Sequence, residues 1–202
     1  MVNQNPDGQS SYRADVEQNI ADSLLYLLNN GSSWGDLTVE DLATHAGIKR
    51  TLFYVYFPDK RSVLLKLGHD LIATTIEGIS KGWLVRDNGP EGLRAELESW
   101  LRTRDKFKMV SKALIEGSNT DPEIRAFWEG VSRSVIDPTS ERIGRAQADG
   151  NGPKGPSAAM LAFCLVLMTE KVTFEGLLDL SPEKAPMFDA LFAFWRYALY
   201  GS

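Results

Sequence analysis

The segment from Val39 to Phe57 constrains the fold more than any other part of this 202-residue chain. Two short apolar stripes flank Ala43 and Gly47, which lie four residues apart. A small residue lets two helices cross closely, and glycine adopts the positive φ of a tight turn at little cost. The spacing therefore predicts a helix over 39–45, a turn at Gly47 and a second short helix over about 49–56.

The remaining sequence carries helical apolar periodicity and no sustained strand alternation, which predicts an all-α fold. Further helical patterns lie at about 13–30, from 59 onward, and at 91–104, 106–117, 121–148, 157–179 and 182–200. Ser181 and Pro182 predict the start of the last helix, as N-cap and first-position proline. We expect about nine helices: a flexible polar arm over 1–11, a three-helix head over 12–58, and a larger helical body over 59–202.

Composition excludes several classes of protein. The net charge of −5 argues against a basic coat over the whole surface. One cysteine and two histidines are too few for a Cys/His-rich zinc site, so we expect no metal and no cofactor. Cys164 lies in the apolar run Ala158–Met168 and is expected to be buried and inert. That run is shorter than the roughly 20 residues of a membrane helix, and residues 1–12 do not resemble a signal peptide, which predicts a cytosolic protein.

A local cluster of positive charge accompanies the helical pair. Residues 49–66 contain one acid, Asp59, and the five cations Lys49, Arg50, Lys60, Arg61 and Lys66. Two of these cations stand at the start of the second short helix, where a helix entering a DNA groove would carry them. The alternative is that short helix–glycine–short helix units are common in all-α proteins and by themselves imply no DNA binding.

The aromatic end of this segment makes the pattern specific. Leu42-Ala43, Ala46-Gly47-Ile48 and the run Tyr54-Val55-Tyr56-Phe57-Pro58-Asp59-Lys60 together resemble the TetR family of bacterial transcriptional repressors over about residues 13–70. Leu167-Met168-Thr169-Glu170-Lys171 and the closing Trp195 with Leu199-Tyr200-Gly201 resemble one subgroup of that family. Two positions depart from the family pattern: Lys49 replaces the usual Ser or Thr cap, and Leu52 replaces a phosphate-binding Thr.

The resemblance implies a ligand-responsive repressor that binds a palindromic operator in double-stranded DNA as a homodimer and is released by a small lipophilic effector. We expect Thr38, Tyr56 and Lys60 to contact phosphates. Lys49, Arg50, Thr51 and Tyr54 are the candidates for the groove, with Arg50 suited to bidentate contact with guanine. The alternatives are core packing for Tyr56 and simple solubility for the exposed cations.

The resemblance also implies an effector site in the body, formed by Leu93, Trp100, Thr169, Glu170, Phe174 and Trp195. The expected effector is elongated and apolar with one polar end. Aromatic side chains at helical spacing are more often core, and Glu170 could instead form a surface ion pair near Lys171. The last two helices are apolar over more than one face, which predicts that a second copy covers them.

Two other functions compete with this interpretation. An all-α enzyme could use Glu170 as a base in an apolar site, where desolvation would raise its pKa. No nucleophile, metal cluster or phosphate loop in the sequence supports that function. A helical dimer without DNA binding is the other rival, and the confined cluster of cations at 49–66 argues against it.

Overall fold

The structure is a computed structural model that describes residues 6–81, 88–104, 107–174 and 181–201, with side chains over 11–70, 88–102, 107–173, 181 and 183–201. These ranges contain nine α-helices and no strand, which confirms the all-α prediction. The helices are α1 (Pro6–Asn29), α2 (Val39–His45), α3 (Arg50–Tyr56), α4 (Lys60–Lys81), α5 (Gly89–Arg104), α6 (Lys108–Ser118), α7 (Pro122–Ala148), α8 (Ala158–Phe174) and α9 (Ala185–Tyr200).

Two helix starts differ from the sequence expectation. The first helix begins at Pro6, so helical backbone extends into the predicted arm. The last helix begins at Ala185 rather than Pro182, because residues Pro182–Lys184 form a 3₁₀ turn closed by the bond from Lys184 N to the carbonyl of Ser181. Proline is suited to the start of a helix, because the N–H groups of the first turn have no hydrogen-bond partner within the helix and proline has no N–H.

The chain forms two compact units. The N-terminal unit comprises Met1–Asp70 and Met109–Phe127, and the C-terminal unit comprises Leu71–Lys108 and Trp128–Ser202. The N-terminal unit therefore contains α6 and the start of α7 in addition to the predicted head. The division into units does not test where one domain ends and the next begins, so the boundary expected between the head and the body at residue 59 stays a prediction.

Turn chemistry positions α3 in the N-terminal unit. Gly47 has φ +67°, a conformation that favours glycine. The N–H of Ile48 bonds the carbonyl of Ala43 at 2.9 Å, and the N–H of Gly47 bonds that of Thr44 at 3.1 Å. These two bonds form a complete Schellman motif that ends α2. The Asn19 amide of α1 donates to the carbonyl of Ala46 at 2.9 Å, which fixes the turn against α1.

Helix α6 is bonded to the loop that precedes α2. The carboxylate of Glu116 accepts the backbone N–H of Trp34 at 3.2 Å and of Gly35 at 2.9 Å. Gly117 is buried beside the same tryptophan, and a Cβ there would lie 2.9 Å from Nε1 of Trp34. The close approach requires glycine at this position, because a larger residue would push the indole away from α6.

The C-terminal unit has its own apolar core, in which α5, α7, α8 and α9 contribute buried side chains. Its members are Leu93, Leu97, Leu101, Ile143, Ala162, Leu165, Val166, Phe188, Leu191, Trp195, Ala198 and Leu199.

Cys164 is exposed, so the expectation of a buried thiol is wrong. A helix that is apolar on all sides presents one side to the core and another outward, and Cys164 lies on the outward side. Among the described residues, no helix combines the length and apolarity needed to cross a bilayer.

Candidate nucleic-acid interface and effector site

Helix α3 buries one side and exposes the other. Phe53 is fully buried and fixes the helix to the N-terminal core, while Lys49, Arg50, Thr51 and Tyr54 are all exposed. The structure therefore brings the four predicted groove residues together, over the first turn and a half of one short helix. Val55 belongs to the same exposed surface at 63% exposure, and an apolar group there can contact a thymine methyl.

Arg50 and Tyr54 form a pair on this exposed surface. The Arg50 guanidinium donates from Nη2 to the Tyr54 hydroxyl at 3.2 Å, and its carbon lies 5.7 Å from the Tyr54 ring centroid. Residues four apart on a helix meet in this way. The contact orients the guanidinium along the exposed side of α3 and leaves most of its five N–H donors for another partner.

Lys49 stands at the N-cap position of α3 and makes no capping hydrogen bond through its side chain. The first N–H groups of the helix consequently lack a side-chain oxygen there. An N–H group without a partner at a helix start, next to an ammonium, is suited to an anion such as a phosphate. The departure from the usual Ser or Thr cap therefore places an exposed ammonium where the capping oxygen would stand.

Thr38 is committed to capping α2. Its hydroxyl oxygen accepts the N–H of Asp41 at 3.2 Å and its hydroxyl proton points to the Asp41 carboxylate, 2.6 Å away. The Thr38 backbone N–H donates to that carboxylate at 2.8 Å, which completes a capping box. The bond from the Thr38 hydroxyl is the main reason that the pKa of Asp41 is lowered. The hydroxyl proton is thus already in use within the protein.

The ammonium of Lys60 is also bonded within the protein. It donates to the carbonyls of Trp34, at 2.8 Å, and Leu37, and lies 4.4 Å from the Trp34 ring centroid. Burial lowers the pKa of Lys60, and the nearby carboxylate of Glu116 opposes that shift. An ammonium held by two carbonyls and an indole is oriented toward the core. The expected phosphate contact does not account for this geometry, whereas a role in holding the loop before α2 does.

The position of Tyr56 is compatible with both alternatives given for it from the sequence, a phosphate contact and core packing. The residue is half-buried, and the Arg13 guanidinium carbon of α1 lies 5.6 Å from its ring centroid. Its ring therefore packs against α1 while part of the side chain remains accessible. His45, at the end of α2, stacks on Tyr26 of α1 at 4.4 Å between ring centroids, which is a second and separate contact between α1 and the motif.

The cluster of five cations is smaller in the structure than in the sequence. Arg61 forms ion pairs with Asp59 at 2.8 Å, Asp121 at 3.3 Å and Glu123 at 3.3 Å. Lys66 pairs with Asp70 at 3.1 Å, and Lys60 is held as described. Within the described part of the chain, Lys49, Arg50 and Lys60 form no ion pair, and of these three Lys49 and Arg50 are exposed. The positive potential is therefore concentrated on the first turn of α3.

The predicted effector residues divide into buried and accessible groups. Leu93 and Trp195 are core residues, and Trp100 packs against the same core while partly buried. The indole of Trp195 donates from Nε1 to the buried Thr169 hydroxyl at 2.9 Å, and that hydroxyl donates to the carbonyl of Leu165 at 2.7 Å. The structure brings these four residues into one region of the C-terminal unit. The side chain of Phe174 lies outside the described residues.

Glu170 faces α7 rather than a surface lysine. Its carboxylate accepts Trp128 Nε1 at 2.6 Å and the Ser132 hydroxyl at 3.5 Å. Burial raises the pKa of Glu170, and the two hydrogen bonds offset part of that rise. No ion pair to Glu170 occurs among the residues that the structure describes, so the surface ion pair considered from the sequence does not form there.

Sequence reasoning missed the partners of these groups. Nothing in the sequence distinguishes Trp128 from the other aromatic residues, yet it is the closer of the two donors to Glu170, 42 residues away. Glu116, which holds the Trp34 backbone, is 82 residues from its partner. A buried indole needs an acceptor for its N–H, and that need was the only available signal. It does not identify which acceptor among many.

Comparison with known proteins places the chain in a family. Residues 93–201 match the family description "Transcriptional regulator EthR, C-terminal domain", and residues 33–67 match "Bacterial regulatory proteins, tetR family". An HTH-type transcriptional regulator EthR from Mycolicibacterium smegmatis is 30% identical over 172 residues, covering 84% of this chain and 79% of that protein.

Solved structures agree on the fold. GusR from Salmonella enterica superposes with a TM-score of 0.67 at 15% identity, covering 93% of this chain and 94% of that one. FadR from Thermus thermophilus, described as a TetR family transcriptional repressor in complex with lauroyl-CoA, gives a TM-score of 0.58 at 21% identity and covers 91% and 93% of the two chains. The matched relatives are transcriptional regulators and not enzymes. This chain belongs to the TetR family of transcriptional regulators, in the group that resembles EthR.

Proposed function

We propose that this regulator is a cytoplasmic, ligand-responsive repressor that binds a palindromic operator as a homodimer and leaves it when a small lipophilic effector binds. The observation that carries the proposal is the exposed first turn of α3, where Lys49 and Arg50 form no ion pair in the described chain while Phe53 fixes the helix from behind. A rigid helix with accessible cations is suited to the major groove.

The contacts with DNA divide into two kinds. Lys49, Arg50, Thr51 and Tyr54 enter the groove, and Arg50 reads a guanine through the donors that Tyr54 leaves available. Of the residues expected at phosphates, Tyr56 keeps an accessible side chain and contacts a phosphate. Thr38 and Lys60 act as positioning residues, since their polar atoms are already bonded within the N-terminal unit.

The homodimer rests on the outward side of α8 and α9. Met160, Phe163, Cys164 and Leu167 are exposed on α8, and Met187, Phe194 and Tyr197 are exposed on α9. A monomer rarely exposes so much large apolar surface on two neighbouring helices. A second copy would cover it with the same surface, and the resulting two-fold symmetry matches a palindromic site.

The effector site rests on the polar groups within the C-terminal unit. Apolar core residues surround the hydroxyl of Thr169, and the carboxylate of Glu170 lies beside them on α8. An apolar lining with a few placed polar groups is typical of a site for a lipophilic molecule. The effector acts by binding one conformer of the dimer more tightly than the other.

The test combines binding and release. Fluorescently labelled duplex from the region upstream of the regulator's own gene is titrated with protein, and lipophilic compounds are then added to the complex. We expect saturable binding by a species whose light-scattering mass is that of a dimer, and release by some members of the panel. A monomeric mass, or DNA binding that no member of a broad panel affects, contradicts the corresponding part of the proposal.

A further inference from the structure

The carboxylate of Glu170 is half-buried and forms no ion pair in the described chain. Its hydrogen bonds come from Trp128 at 2.6 Å and, weakly, from Ser132 at 3.5 Å. A carboxylate has about four acceptor sites, so part of its capacity is unused. Removing an ionised carboxylate from water is costly unless a charged partner compensates.

A second polar group on α8, the hydroxyl of Thr173, is unsatisfied. Thr173 is fully buried, and within the described residues its hydroxyl has no hydrogen-bond partner. Residues three apart on a helix share a face, so Thr173 and Glu170 lie on neighbouring positions of one face of α8. A buried hydroxyl without a hydrogen-bond partner destabilises the folded chain, because it loses its bonds to water and gains none in exchange. A partly satisfied carboxylate and an unsatisfied hydroxyl, one turn apart on α8, favour a ligand that supplies hydrogen-bond donors.

We propose that Glu170 and Thr173 form the polar end of the effector site and that the effector is a lipophilic amine, positively charged at neutral pH. The inference deepens the proposed function and rests on it. An ammonium offers three donors and no acceptor, and its bond to a carboxylate is charge-assisted. The apolar part of the amine packs among the partly buried Trp100, Met168 and Val172. A neutral ligand would leave the carboxylate unpaired, and an acid would add like charge.

The test compares three ligands that differ only in their polar end: octylamine, octanol and octanoic acid. Binding to the full-length protein is measured by calorimetry. We expect octylamine to bind about tenfold more tightly than octanol, which corresponds to about 1.4 kcal/mol, and octanoic acid to bind least. Glu170→Gln removes the charge and keeps an oxygen for Trp128, so it abolishes the preference for the amine. Glu183→Gln, at an exposed position of the same unit, retains it.

A second variant keeps the inference testable if Glu170→Gln does not fold. Thr173→Val is nearly isosteric, and we expect it to fold and to weaken octylamine binding about threefold, the loss of one hydrogen bond. Equal affinity of the wild type for octylamine and octanol overturns the amine inference while leaving a lipophilic effector in place. Binding of none of the three ligands, together with no DNA release by a broad panel, overturns the effector role itself.

Discussion

The two units use their polar side chains differently. In the N-terminal unit, Thr38, Lys60 and Glu116 bond backbone groups and hold the elements around α3. In the C-terminal unit, Glu170 and Thr173 lie in an apolar helix with incomplete partners. The first arrangement rigidifies a surface that must be presented unchanged to DNA. The second leaves hydrogen-bonding groups in the interior without a full set of partners, and in our proposal a small molecule supplies the missing ones.

Truncating the large core indole tests how the C-terminal unit is stabilised. Trp195→Ala removes a fully buried side chain and the donor to Thr169, so we expect a loss of about 3–5 kcal/mol in the free energy of unfolding. Urea denaturation followed by circular dichroism measures it. Trp195→Phe keeps most of the packing and should lose much less. A loss below about 1 kcal/mol for the alanine variant would show that this indole does not support the core.

Removing a cation from α3 tests the other unit, where the effect should appear in binding and not in stability. Arg50→Ala should weaken operator binding by about 1–3 kcal/mol because the exposed guanidinium contacts DNA and not the core. The melting temperature should stay the same. Fluorescence anisotropy with labelled operator checks the affinity, with Arg133→Ala, exposed on α7, as the charge-matched control. Unchanged affinity for Arg50→Ala would remove this residue from the interface.

Replacing glycine by alanine should lower the free energy of unfolding at one position of the N-terminal unit and raise it at one position of the C-terminal unit. Gly47 has φ +67° and Gly130 lies within α7, and neither would bring a Cβ within 4 Å of another atom. Gly47→Ala should destabilise by about 1–2 kcal/mol because the left-handed conformation penalises a side chain. Gly130→Ala should stabilise by about 0.5–1 kcal/mol. Thermal unfolding of both variants, compared with the wild type, measures the two changes in stability. A stabilised Gly47→Ala variant would contradict the turn geometry.

The smallest expected effect concerns the charge on Glu170. Burial raises its pKa above 4.5, so the folded chain binds this proton more tightly than the unfolded chain. The stability from protonation is complete below pH 4.5 and is lost as pH rises through the raised pKa. At neutral pH, Glu170→Gln should raise the melting temperature slightly, because the glutamine side chain carries no charge to be buried. The gain should shrink as the pH falls toward 4.5, and a gain that is independent of pH would contradict the burial of this charge.

Local chemistry explains why the motif was predictable. The ends of α2 and α3 depend on residues within a few positions of each other, such as Ala43, Gly47 and Ile48. Turn and capping bonds of this range follow from the sequence itself. The predicted bounds of α5 to α7 also agree with the structure to within a few residues, because strong apolar periodicity identifies long helices.

Long-range contacts explain what the sequence could not predict. The phosphate role expected for Lys60 conflicts with its bonds to carbonyls 23 and 26 residues away. The burial expected for Cys164 is wrong because an all-round apolar helix does not reveal which side meets the core. The pairing of Glu170 with Trp128 spans 42 residues. Each depends on how distant helices pack, which periodicity within one helix does not specify.

Selection of sequences from a random pool of duplex DNA shows whether two copies of α3 read bases as a symmetric pair. We expect enrichment of a palindrome whose half-sites contain a guanine that the wild type requires and Arg50→Ala no longer distinguishes. Failure to enrich any sequence, or enrichment of a site without two-fold symmetry, would contradict this expectation.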